Sequence, residues 1–323
     1  LALALLLAFG GLAWVALTPV RLAASEIEFS ILPGSALKAA TRQIADSGVA
    51  LVPWQFNLLA RLTASDTRIK AGSYAVAEGV TPWQILRKIT EGDYTQVEVI
   101  FVEGWTFRQM RDALDAHAAV RHDSAVLRDA DIMDKLGAPG EEPEGWFFPD
   151  TYFFAKGESD LAILARARRA MRKQLESAWM QRDADSPLYS PYEALILASI
   201  VEKETGRSED RSLIAGVFVN RLKAGMRLQT DPTVIYGLGP RFDGNLRKRD
   251  LVTDTPHNTY TRDGLPPSPI AMPGLASLQA TVHPAKTDAL YFVARGDGSS
   301  QFSRTLDEHN RAVARYQRAG GRP

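Results

Sequence analysis

Residues 190–206 read SPYEALILASIVEKETG. Ser190, Pro191 and Glu193 supply an N-cap, a first-turn proline and a capping-box partner, so a helix begins here. The aliphatic run carries it through Glu204, and Gly206 is the residue type favoured just past a helix end. At about 100° per residue, Glu204 falls on the side of Leu197, Ile200 and Val201, while Glu202 points nearly the opposite way, toward Leu195, Ala198 and Ser199. Acids two positions apart do not face each other, so they do not act as a pair across one bond. Glu204 is the better candidate for chemistry. Its aliphatic neighbours strip water from the carboxyl and the negative end of the helix dipole lies in the same turn, and both raise its pKa toward the range of a general acid. The alternative is structural: pairing with Arg207 or with a base brought near by folding.

Downstream, Ser208 is placed to cap a second helix, with Glu209 and Asp210 in its first turn and LIAGVFVNRLKAG (213–225) as its body. GMRLQTDPTVIYGLG (225–239) follows, with Pro232 at a first helical position. The stretch DTPHNTYTRDGLPPSPIAMPG (254–274) is a long loop dense in Pro, Gly, Asn and Thr. Such loops inside a compact domain tend to be functional, and its polar groups suit the acetamido and hydroxyl groups of a glycan. A strand, ALYFVAR (289–295), and a helix capped by Thr305 with Glu308 close the chain.

Upstream, 159–178 reads as a basic amphipathic helix with a solvated outer face. EGWFFPDTYFF (144–154) packs six aromatic residues together, as either a wall for sugar rings or a core segment. The polar stretch before it, ending in GAPGEEPEG (137–145), marks a domain boundary. Earlier still, EGVTPWQILRKI (78–89) and EGWTFRQMRDAL (103–114) repeat Glu, Gly, Thr and Gln at the same offsets, each after a strand-like run (73–77; 96–102). Thr81 with Gln84, and Thr106 with Gln109, form capping boxes. A strand is expected over 26–32, a helix capped by Ser35 to about Asp46, and another over 54–62.

Residues 1–20 carry no charged side chain and end at Arg21, about the length needed to cross a bilayer core. A transmembrane helix is expected there; Ala23, Ala24 and Ser25 keep open a cleaved signal peptide. The whole chain has 323 residues, 45% of them hydrophobic and 24% charged, the balance of a folded globular protein. Lys plus Arg and Asp plus Glu both number 38, so no net field draws the molecule to nucleic acid. The absence of cysteine excludes disulfides, thiolate nucleophiles and zinc-thiolate sites.

Residues 74–89, YAVAEGVTPWQILRKI, resemble the LysM module, a small sheet with two helices that binds N-acetylglucosamine polymers. SIVEKETG (199–206), FVNRLKAGMRLQTDPTVIYGLG (218–239), NTYTRDGLPPSPIAMPG (258–274) and HPAKTDALYFVARGDG (283–298) closely resemble the YceG-like endolytic murein transglycosylases, and EGWFFPDTY (144–152) fits the same family. The resemblance implies an α+β protein in three parts. These are a membrane helix over 1–20, a LysM-like subdomain over 26–120 and a lysozyme-like catalytic domain over 144–323. It also implies endolytic cleavage of the MurNAc–GlcNAc β-1,4 bond in nascent strands, leaving 1,6-anhydroMurNAc ends and terminating elongation.

Glu204 matches the family's catalytic glutamate, and Gln229, Thr230, Asp231, Asn258 and Tyr260 are expected to line one substrate groove with it. The implied partners are peptidoglycan strands, the plasma membrane and peptidoglycan synthases, with the catalytic domain outside the cytoplasm. No cofactor and no metal are implied. The chain departs from the family at His257, where a tyrosine is usual, and at Ser299 and Ser300, in place of a glycine-glycine-histidine, so a catalytic role for His257 has little support. Rival readings are a non-catalytic wall-binding scaffold, a lysozyme-type hydrolase and an anchored adaptor.

Overall fold

The computed structural model describes residues 2–32 and 34–318. Leu1 of the expected span and residues 319–323 of the expected catalytic domain lie outside the described residues. Two compact units form: residues 1–98, 117–121 and 153–159 make the first, and 99–116, 122–152 and 160–323 the second. Contacts therefore divide the chain in several places, and the GAPGEEPEG stretch (137–145) expected as a boundary falls within the second unit.

The first unit opens with α1 (Ala2–Leu17). No described helix is long and apolar enough to cross a membrane. The span expected over 1–20 is found as a helix of 16 residues, about 24 Å at 1.5 Å per residue. Pro19 explains the early stop, because the residue before a proline is pushed out of the helical region. β1 (Glu26–Ile31) alternates so that Ile27, Phe29 and Ile31 point inward. Next come α2 (Leu37–Asp46) and α3 (Pro53–Leu62), then β2 (Gly72–Ala77), which pairs antiparallel with β1, Phe29 opposite Tyr74. Ser35 does not cap α2; its hydroxyl bonds Gln43 instead, and Ala36 holds the N-cap position. α4 (Pro82–Glu91) begins at the Thr81 and Gln84 capping box, both bonds present. Ile44, Phe56, Tyr74, Ile85 and Ile89 fill the core of this unit.

β3 (Gln96–Ile100) leads to α5 (Phe107–Asp115), opened by the second capping box at Thr106 and Gln109. The equivalence of the two strand-to-helix junctions thus extends to their hydrogen bonds. After α6 (Asp129–Lys135), β4 (Thr151–Ala155) pairs with β3. Of the six clustered aromatics, Phe147, Tyr152 and Phe154 are buried and only Phe153 is exposed, so this segment is core rather than a sugar wall. α7 (Asp160–Met180) is also less of an outer face than its basic residues suggest. It buries Ile163, Leu164, Met171 and Leu175, and its Arg168 reaches Glu141 at 2.8 Å.

α8 (Pro191–Glu204) is buried on every side from Ala194 to Val201, and α7 packs on it. A helix apolar all round has to be wrapped by others, and three later elements help to do so: α9 (Ser208–Lys223), α10 (Asp231–Leu238) and, beyond α11 (Lys248–Val252), α12 (Leu275–Val282). α12 has no counterpart in the sequence expectations. Its N-cap is Gly274, whose amide is held by Glu202 Oε2 at 2.9 Å. Glu193 bonds the amide of Tyr189 rather than closing a box on Ser190, and Arg207, not Ser208, sits at the N-cap of α9. At Gly216 of α9 a side chain would meet the Ala285 carbonyl at 2.6 Å, so this close approach requires glycine. β5 (Tyr291–Ala294) and β6 (Ser300–Ser303) form a hairpin, followed by α13 (Leu306–Val313) with Thr305 and Glu308 capping it as expected.

Candidate active site

Glu204 is the last residue of α8, half-buried, at a cleft of about 510 Å³ in the second unit. The aliphatic run that makes α8 a core helix delivers the carboxyl to this spot. Burial is the main force on it and pushes its pKa up from 4.5 to about 7, with the nearby Asp231 charge acting the same way. Two groups oppose the shift: Thr230, whose hydroxyl donates to Glu204 Oε1, and the cationic Arg221. The balance leaves a carboxyl that exists in both protonation states near neutral pH.

Thr230 is fixed from behind by a buried hydroxyl network. Its amide donates to Thr259 Oγ1 at 3.1 Å, Thr233 Oγ1 donates to the Thr230 carbonyl at 2.7 Å, and Thr233 and Thr259 share a bond of 2.9 Å. Gln229, one residue earlier, adopts a left-handed backbone with φ +48°, a conformation that costs a non-glycine residue energy and marks a constrained turn. Its amide donates to the Thr259 carbonyl. The turn between α9 and α10 is therefore bolted to the 254–274 loop.

Gln229, Asp231 and Tyr260 line the cleft with Glu204. Tyr260 donates its hydroxyl to Asp231 Oδ1 at 2.6 Å, and burial together with that carboxylate raises the phenol pKa. Asn258 is placed differently. It is fully buried, donates to the carbonyls of Leu251 and Thr253 at 3.1 and 2.7 Å, and accepts from the amide of Tyr260 at 2.8 Å. Its side chain organises the loop that presents Tyr260. His257 lies outside this cleft, bonded to Ser268 Oγ at 2.8 Å and edge-on to Tyr236.

Several lining residues escaped the sequence reading. Arg221 is buried beneath the cleft, donating to the Leu290 and Leu228 carbonyls at 2.7 Å each and lying over the Tyr291 ring. Tyr291 stacks on His309, and Ser300 completes this side. Arg221 stood in plain view in the 218–239 motif, but nothing local marks an arginine on a helix as part of a site. Tyr291, Ser300 and His309 come from 70 or more positions further along the chain, and only the fold brings them in.

Glu202 takes no part in the cleft. Besides holding Gly274, it faces Arg211 at 3.8 Å. One turn earlier Ser199 accepts from the amide of Ile270 at 3.0 Å, so this side of α8 anchors the segment 270–274.

Comparison with known proteins gives several matches. A family model described as the YceG-like family matches residues 29–315. An endolytic murein transglycosylase of Bacillus subtilis (strain 168) is 36% identical over 247 residues, covering 75% of this chain and 68% of that protein. One of Streptococcus pneumoniae (strain D39) is 28% identical over 291 residues, covering 77% of this chain and 51% of its own length. The chain thus spans about two thirds of the first relative and half of the second. A crystal structure of a yceG-like protein from Listeria monocytogenes superposes with a TM-score of 0.54 at 30% identity, covering 89% of this chain and 98% of that one.

Proposed function

Because the chain belongs to the YceG-like family, we propose that it is an endolytic lytic transglycosylase of peptidoglycan in which Glu204 acts first as acid and then as base. The observation that carries this reading is the carboxyl of Glu204, half-buried beside an open cleft with a pKa of about 7. Efficient proton transfer in both directions is favoured when the pKa lies near the working pH.

In the first half of the reaction Glu204 donates its proton to the oxygen bridging MurNAc and GlcNAc, and the C1–O bond breaks. In the second, the carboxylate takes the proton of the muramoyl C6 hydroxyl as that oxygen bonds C1. The product is a 1,6-anhydro ring, water is neither consumed nor released, and Glu204 ends protonated as it began. Thr230 steadies the carboxylate between the two steps. Gln229, Asp231 and Tyr260 contact the sugars, and Asn258 supports them from behind. The reaction as written needs neither metal nor cofactor.

A second reading rests on Asp231, which shares the cleft: ordinary glycosidases use two carboxylates, and a hydrolase would employ Asp231 as the partner. Its bond to Tyr260 favours a binding role instead. The ends of the products discriminate. Mass analysis of purified glycan strands after digestion should show 1,6-anhydroMurNAc termini from internal cuts, whereas reducing MurNAc termini would establish the hydrolase.

The finer organisation follows the same reading. The first unit, with α2 and α3 between the paired strands β1 and β2, supports a LysM-like module that holds glycan. The second, mostly helical and with the carboxyl of Glu204 at its cleft, supports a lysozyme-like catalytic domain. The charge-free α1 supports attachment to the plasma membrane, with the catalytic unit on its outer side among the peptidoglycan synthases whose strands it terminates.

A further inference from the structure

α3 buries Phe56, Leu59 and Ala60 in the first unit and leaves Trp54, Leu58 and Leu62 exposed, at 66%, 41% and 63%. Positions four and eight residues apart lie within one arc of a helix, so these three side chains form a continuous apolar stripe facing away from the core. Arg61 lies on the same face. Scattered exposed apolar residues need no explanation, but a stripe of this kind on a helix does.

What covers the stripe is indicated by its neighbour. α1 packs against α3 and α4, carries no charged residue, and exposes Trp14 and Leu17 one turn apart near its end. Trp14 and Val52 line the same apolar notch of about 480 Å³ between the two helices. The stripe thus stands on a helix that α1 contacts directly. Tryptophan and arginine flanking aliphatic residues suit the boundary between acyl chains and headgroups, where the indole spans both and the guanidinium reaches lipid phosphate.

We propose that α3 lies in the plane of the membrane surface, with Trp54, Leu58 and Leu62 inserted at the acyl–headgroup boundary, so that the first unit is held against the bilayer. This rests on the reading of α1 as membrane-inserted. A unit attached through α1 alone would pivot, whereas a second, interfacial contact fixes its orientation.

The cysteine-free sequence allows a direct test in the full chain. Single-cysteine variants Leu58→Cys, Gly11→Cys and Lys38→Cys are spin-labelled and reconstituted into phosphatidylcholine–phosphatidylglycerol vesicles, and accessibility to oxygen is compared with accessibility to a water-soluble nickel chelate. All three positions are exposed, so labelling does not disturb the core. Oxygen accessibility should dominate at positions 58 and 11 and chelate accessibility at 38. A water-exposed label at 58 with a lipid-exposed label at 11 would overturn the docking of α3 and leave the anchor intact. Water exposure at both would remove the anchor and the proposal with it.

Discussion

Thr230 donates its hydroxyl to the carboxyl of Glu204 across 26 positions of sequence, and does so from a backbone locked by two further buried threonines. A hydrogen bond to the charged form lowers a carboxyl pKa, so Thr230 moderates what burial imposes on Glu204. Thr230→Val keeps the shape and removes the bond. The pKa of Glu204 should rise by about one unit, in line with the loss of a hydrogen bond to a charged group. The limb of the pH–rate profile that reports this group should move upward with it, while Thr230→Ser retains the wild-type profile. An unmoved limb in Thr230→Val would detach Thr230 from the acid.

Asn258 acts at one remove. Three carbonyls and one amide converge on its buried side chain, and Asn258→Ala would take that partner from the Leu251 and Thr253 carbonyls and the Tyr260 amide, while the Asp250 carbonyl keeps the Thr253 amide. A loss of about 3 kcal/mol in denaturant unfolding is expected from the unsatisfied groups. In the fraction that remains folded, KM should rise more than kcat falls, since Tyr260 would lose its support while Glu204 keeps its own.

These two residues show how far the sequence could be read. Capping boxes at Thr81, Thr106 and Thr305 were legible because a cap is a contact between residues three apart. That Glu204 and Glu202 point apart was legible because helical periodicity alone separates them, but which of them meets a cleft was not, since α8 is buried on both sides. Asn258 was recognisable as part of a long polar loop, but its orientation depends on where the carbonyls of 250–253 turn, and no pattern of residue types encodes that. The helix α12 was missed because its short LASLQATV run has little polar contrast between faces, and its start depends on Glu202, 72 positions away. Arg221 looked like any basic residue on a helix until the strand carrying Leu290 and Tyr291 was folded over it.

Stability should fall as pH rises from about 4.5 to about 7, and Glu144 and Glu204 contribute most to it. Glu144 is 6% exposed, accepts from the Phe107 amide at 3.0 Å and the Tyr236 hydroxyl at 3.2 Å, and is pushed by burial from 4.5 to about 7. Glu204 is shifted to about the same value. A carboxyl whose folded pKa is raised binds more protons in the folded than in the unfolded state. Its contribution is therefore present below pH 4.5 and is lost as pH climbs toward 7. For Glu144 the loss is on the order of 3 kcal/mol, from a shift of about two and a half units. Unfolding in denaturant at pH 5 and pH 7.5 should show the decline, and Glu144→Gln, which stays neutral and can still accept from Phe107, should reduce it by about half. A slope unchanged in this variant would mean that other groups carry it.

The two glutamates of α8 make the sharpest pair of predictions, because they sit two residues apart and do unrelated things. Glu204→Gln keeps the volume and can still accept from Thr230, but it cannot give up and recover a proton. Positioned acid/base groups contribute about 10²- to 10⁴-fold, and turnover should fall by that amount with glycan binding nearly unchanged and thermal stability near neutral pH no lower than in the wild type. Glu202→Gln should do the reverse. Its carboxylate holds the amide that starts α12 and faces Arg211, and a charged hydrogen bond of this kind is worth about 1.5–3 kcal/mol. The glutamine oxygen keeps part of the bond to Gly274 but not the charge opposite Arg211. The variant should melt several degrees lower and yet cut strands at close to the wild-type rate below its transition. Thermal unfolding and single-turnover cleavage measured on both proteins check this. Full activity in Glu204→Gln would show that the acid lies elsewhere in the cleft, with Asp231 the first residue to examine.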